Sequence, residues 1–130
     1  MKKTLITAGL LTGLMPFASS ATANSGIGHV QKGIASFYHD SLHGRKTASG
    51  QVYNKHRLSA AHRTLPLGTR IQVTDTKTGR SIVVRVNDRG PFAKGRIVDL
   101  SKEAARELGI VDRGLARVDL KVLSTPQRDG

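Results

Sequence analysis

Three alternating segments constrain this chain more than any other feature. Arg70–Asp75 puts Ile71 and Val73 on one face. Ser81–Val86 puts Ile82, Val84 and Val86 on one face, while Val83 adds burial on the other. Arg117–Leu123 repeats the pattern with Val118, Leu120 and Val122. A period of two marks half-buried strands. Gly33–Tyr38 reads as a first strand, Leu58–Ala61 as a short second one, and Ile97–Leu100 as a short apolar run. Thr76-Lys77-Thr78-Gly79 is a hairpin loop with glycine where positive φ is needed. Asn87-Asp88-Arg89-Gly90-Pro91 stops the strand before it, and polar His39–Lys55 is a long loop. One helix is expected over Lys102–Leu108, with Ser101 as N-cap, Glu103 in the first turn and Gly109 as terminator. It would bury Ala104, Ala105 and Leu108. Five or six short strands and a short helix within about 90 residues predict a mainly β fold, a small barrel, because closure removes strand edges.

The ends read differently. Lys2 and Lys3 precede the mostly apolar Thr4–Phe17, and Ala21-Thr22-Ala23 gives an A-x-A ending. That is the pattern of a secretory signal peptide cleaved after Ala23. The apolar stretch falls short of the roughly 20 residues that span a bilayer. Residues 1–23 are therefore expected as a cleaved signal, 24–32 as a flexible leader, 33–123 as the folded domain and 124–130 as a disordered tail.

Export changes the meaning of the charge. The chain carries 21 Lys plus Arg against 9 Asp plus Glu, a surplus of +12. Removing Lys2 and Lys3 leaves +10 on the exported part. Such a surplus seeks a polyanion. Export, only five aromatic residues and no recognition motif argue against nucleic acid. Cell wall, anionic lipid head groups and lipopolysaccharide remain. With no Cys, a disulfide scaffold, a thiolate zinc module and an acylated N-terminal Cys are all excluded. The expectation is a soluble periplasmic protein without a lipid anchor.

Acids are scarce, so the search for chemistry is short. Asp40, Asp75, Asp88 and Asp99 are the four between Gly33 and Leu100. Asp75 reads as a turn cap, Asp40 as solvated, and Asp99 as a residue favouring the following helix. Asp88 ends a strongly apolar strand and is either functional or a turn residue paired with Arg85 or Arg89. His39 and His43 lack an H-E-x-x-H context, so no metal site is expected. His62 fits a satisfied polar rim residue or a groove residue. Ser36, Ser49 and Ser101 lack the G-x-S-x-G elbow of a nucleophile.

Five segments taken together are similar to one family. They are Gly33-Ile34-Ala35-Ser36-Phe37-Tyr38, His43–Gly50, Ala60–Thr69, Val84-Arg85-Val86-Asn87-Asp88-Arg89-Gly90-Pro91 and Arg96–Ser101. The ordered set resembles the rare lipoprotein A (RlpA) family over about Gly33 to Leu123. The resemblance implies a six-stranded double-psi β-barrel with one or two short helices and an open groove. It implies an endolytic lytic transglycosylase that cuts between N-acetylmuramic acid and N-acetylglucosamine in strands lacking stem peptides. The product would carry a 1,6-anhydro end. It implies Asp88 as catalytic acid and base, His62 as a supporting groove residue, and Tyr38, Thr47, Ser49, Arg63, Asn87 and Arg89 as substrate contacts. No cofactor is implied, the partner is the peptidoglycan glycan strand, and a monomer is expected.

One departure stands out. The family's second acid falls on Gln51, which hydrogen-bonds but exchanges no proton near neutral pH. A two-carboxylate hydrolase would lose a partner. A transglycosylase uses the sugar's own C6 hydroxyl as nucleophile, so one carboxyl can act twice. The alternative is a non-catalytic peptidoglycan-binding or expansin-like wall module. Under either reading, some of Arg45, Lys46, Arg63, Arg85 and Arg89 would attract the free lactyl carboxylates of a denuded strand.

Overall fold

The computed structural model describes residues 26–126. The proposed signal at 1–23 lies outside the described residues. Six strands close into one barrel: β1 (Val30–Phe37), β2 (Ser59–Ala61), β3 (Arg70–Asp75), β4 (Ser81–Asp88), β5 (Arg96–Leu100) and β6 (Ala116–Ser124). Their order around the barrel is β1-β5-β2-β4-β3-β6. The pairs β1–β5 and β2–β4 are parallel; the other four are antiparallel. Among the described residues, one helix, α1 (Lys102–Leu108), and a 3-10 turn at Asp40–Leu42 accompany the barrel.

The alternation seen in the sequence becomes the core. Ile71, Val73, Ile82, Val84, Val86, Val118, Leu120 and Val122 all point inward and are buried. Gly79 takes the positive φ that the β3–β4 hairpin needs. Ser101 caps α1 through an Ala104 N–H bond of 3.2 Å, and its hydroxyl also donates to the Arg57 carbonyl. Gly109 closes the helix in the left-handed conformation.

Two boundaries move. β1 begins at Val30, so the last three residues of the expected leader pair with Lys121, Leu120 and Asp119 of β6. β6 runs through Ser124, one residue into the expected tail. The pairing of Val30–Lys32 is a backbone matter, which their mixed side chains do not announce. Gly33 then lets β5 come close: a Cβ there would stand 2.6 Å from Ile97 Cγ2.

Candidate functional site

The crossing of strands builds the site. Ala61 of β2 pairs with Asp88 on one side and Asp99 on the other, and Asp99 pairs with Ser36 of β1. Ser36, Asp99, Ala61 and Asp88 thus form one register row across four strands. Tyr38, two residues beyond Ser36, donates its hydroxyl to Asp88 Oδ2. The Ala48 and Arg89 backbone N–H groups donate to Oδ1 at 2.8 and 2.9 Å. Burial, and then the Asp88 bond and charge, push the Tyr38 hydroxyl well above its ordinary value, so it stays a donor.

No cation pairs with the Asp88 carboxyl among the described residues. The turn-residue reading expected Arg85 or Arg89 there. Arg89 instead donates to the carbonyls of His62 and Leu65 at 3.1 and 2.7 Å. It braces the rim.

The long loop docks on the end of β4. Ser49 N–H donates to the Asn87 carbonyl at 3.1 Å, and Asn87 Nδ2 donates to Gln51 Oε1 at 3.3 Å. Thr47, expected as a substrate contact, is buried, and its hydroxyl closes the loop on the Gln51 carbonyl at 2.7 Å. Gln51, Asn87 and Asp88 are brought together. Arg63 is exposed on the stretch after β2.

His62 is 4 % exposed and sits inside the rim. Its Nδ1 accepts from the Thr64 and Leu65 N–H groups, so Nε2 carries the proton and donates to Gln31 Oε1 at 2.9 Å. Burial, followed by the Arg89 and Arg63 charges, lowers its pKa from 6.5 to about 4. Its own N–H donates to the Asp88 carbonyl at 3.1 Å. The neutral ring ties Gln31 of β1 to the Thr64 and Leu65 amides, while the His62 backbone N–H holds the strand end that carries Asp88.

Of two other aspartates, Asp99 departs from the sequence reading, and Asp75 keeps its expected turn-cap role but gains a partner. Asp99 does not serve the helix; it accepts from Ser36 and pairs with Arg96 at 3.3 Å. Asp75 is a turn cap, accepting from Lys77 N–H and Thr78 Oγ1, but it also pairs with Arg113 and is fully buried. The sequence reading missed Tyr53 as well, which stacks on Tyr38 with ring centroids 4.4 Å apart. His39 and His43 each accept a backbone N–H at Nδ1.

A family model described as lytic transglycolase matches residues 30–120. The chain belongs to the RlpA family. The RlpA-family barrel is 50% identical over 102 residues to the endolytic peptidoglycan transglycosylase RlpA of Pasteurella multocida, covering 78% of this chain and 35% of that one. It is 55% identical over 94 residues to the probable endolytic peptidoglycan transglycosylase RlpA of Nostoc sp., covering 71% and 25%. The chain thus spans about a third or less of the length of these two curated relatives. Among solved structures, the Streptomyces papain inhibitor matches with TM-score 0.63 and 26% identity, covering 76% of this chain and 98% of that one. An apo expansin of Clavibacter michiganensis matches with TM-score 0.60 and 22% identity, covering 76% and 52%, a likeness of fold. No helix among the described residues is long and apolar enough to cross a membrane.

Proposed function

We propose that this chain is an endolytic lytic transglycosylase of peptidoglycan with Asp88 as its acid and base. The observation that carries the reading is the Asp88 carboxyl. It is half-buried at the end of β4, addressed by three neutral donors, and free of cations among the described residues. Asp88 protonates the bridging oxygen between N-acetylmuramic acid and N-acetylglucosamine as the C1–O bond breaks. The muramyl C6 hydroxyl then attacks C1 and gives its proton back to Asp88. The sugar ring closes to a 1,6-anhydro end and no water is consumed. Tyr38 and the Ala48 and Arg89 amides hold the carboxylate in the interval when its proton is on the leaving sugar. The signal read at residues 1–23 would deliver the barrel to the periplasmic wall.

The test is product analysis on sacculi stripped of stem peptides. Wild-type protein is expected to release anhydro-ended glycans by mass spectrometry, and Asp88→Asn to release none. Undiminished release by Asp88→Asn would overturn the assignment.

A second reading rests on one specific observation. Gln51, at the position of the family's second acid, bonds Asn87 through its carboxamide. A barrel of this kind that binds the wall without turnover fits that pair as well. Gln51→Glu separates the two: little change in rate supports the single-acid mechanism, whereas lysis appearing only in the variant supports the binding module.

A further inference from the structure

A cavity of about 1090 Å³ opens beside the site, and its lining includes no Asp or Glu. Its lining includes Asn87, which precedes Asp88 in β4, and Gln51, which is bonded to Asn87. From there the cavity follows β4 back to Arg85. Val84 and Val86 point into the core, so Arg85 and Asn87 share the outer face, about 7 Å apart along the strand. Arg57 enters from the segment before β2, where Ser59 pairs with Arg85. Both backbones are fixed: the Arg57 carbonyl accepts from Ser101, and Arg85 N–H donates to the Leu58 carbonyl at 3.5 Å. Both side chains are exposed, and among the described residues neither guanidinium pairs with an acid. Val52 and Leu58, also exposed, supply apolar surface to the same cavity.

We propose that this cavity is a carboxylate subsite, in which Arg57 and Arg85 take the muramyl lactyl carboxylate while Val52 and Leu58 meet its methyl group. The inference rests on the peptidoglycan reading above and names what that site selects. A lactyl ether carries one methyl and one carboxylate on a single carbon, which is the pairing the cavity offers. A guanidinium binds carboxylate through paired N–H groups in one plane. A stem peptide turns that carboxylate into an amide, removing the charge and adding bulk at the cavity.

Binding to soluble glycan strands tests this in an Asp88→Asn background, where no turnover interferes. Three probes are compared: denuded strands, the same strands with carboxyls amidated by methylamine, and strands retaining their stem peptides. Denuded strands are expected to bind about tenfold more tightly than amidated ones, the difference made by one charge-assisted hydrogen-bonded contact. At about 500 mM salt, where the overall charge is screened, Arg57→Gln with Arg85→Gln is expected to erase that difference while leaving affinity for amidated strands unchanged. Arg117→Gln, an exposed arginine on β6 outside the cavity, is expected to keep it. An equal loss on denuded and amidated strands overturns the subsite, as does an equal loss in Arg117→Gln. If the paired variant weakens binding only to peptide-bearing strands, the cavity reads peptide carboxylates and the lactyl assignment is wrong. Binding with no carboxyl dependence sinks the inference alone; no binding to any strand sinks the peptidoglycan reading itself.

Discussion

Asp88 is the one acid among the described residues that is neither ion-paired nor exposed. Asp40, Asp75, Asp99, Glu103 and Asp119 all face a Lys or Arg, and Glu107 and Asp112 are exposed. Its neighbour His62 makes a separate prediction. The folded ring resists protonation until about pH 4, whereas the unfolded ring takes a proton near 6.5. The unfolded state therefore binds more protons between those values, and stability falls as pH drops from 6.5 to about 4. Over that window the loss is on the order of 3 kcal/mol, because each pH unit between the two values is worth about 1.36 kcal/mol. Urea midpoints measured across the window are expected to show the slope. His62→Asn, whose Oδ1 stands where Nδ1 accepts, is expected to flatten it. An unchanged slope would place the titration elsewhere. The scarcity of acids singled out Asp88 as a candidate in the sequence. The roles of Tyr38 and Asp99 were not, because both depend on register across β5, β2 and β4. Arg57 lay hidden in a polar stretch with no period.

Among the elements, those with strong local signals were readable: the alternation of β3, β4 and β6, and the capped helix α1. The order in which strands neighbour one another leaves no local pattern, and neither does the backbone pairing of Val30–Lys32. Gly33 is a residue whose demand is set by another element. Gly33→Ala would press a methyl onto Ile97, and is expected to cost about 1–3 kcal/mol through overpacking. A thermal melt reads this directly, and an unchanged melting temperature would show that β5 shifts freely. The hairpin of β3 and β4 is tied to the segment after α1 by Asp75 and Arg113. Burial alone would raise the Asp75 carboxyl, but Arg113, the Lys77 N–H and Thr78 together hold it below its ordinary 3.8. A lowered folded pKa contributes stability that is complete above the unfolded value and is lost as pH falls through the folded one. Arg113→Ala leaves the buried carboxyl unpaired and is expected to cost about 3 kcal/mol at neutral pH. The acid limb below pH 4 should become shallower in the same variant; an unaltered limb would mean the pair contributes nothing there.

For the whole molecule, charge is the property that the fold leaves uncancelled. The surplus is +12, or +10 without Lys2 and Lys3. Most described acids are absorbed in internal pairs, so the excess cations face outward with few anions among them. Exposed pairs contribute little to stability, and unpaired surface cations contribute nothing to it by attraction. Their effect is a field, long-ranged at low salt and confined to about 8 Å at physiological ionic strength. That field can concentrate an anionic polymer around the barrel, while Arg57 and Arg85 act at short range inside a cavity. The two roles separate by salt. Raising salt from about 50 to about 500 mM is expected to weaken sedimentation of the protein with denuded sacculi by at least about tenfold. The preference for free over amidated carboxyls should survive that change in part, since contact pairs are screened less than distant ones. Urea stability should hardly move, because the exposed pairs that salt screens hold little of it. Sedimentation indifferent to salt would make the surplus incidental to wall binding and leave the cavity arginines as the whole of the anionic recognition.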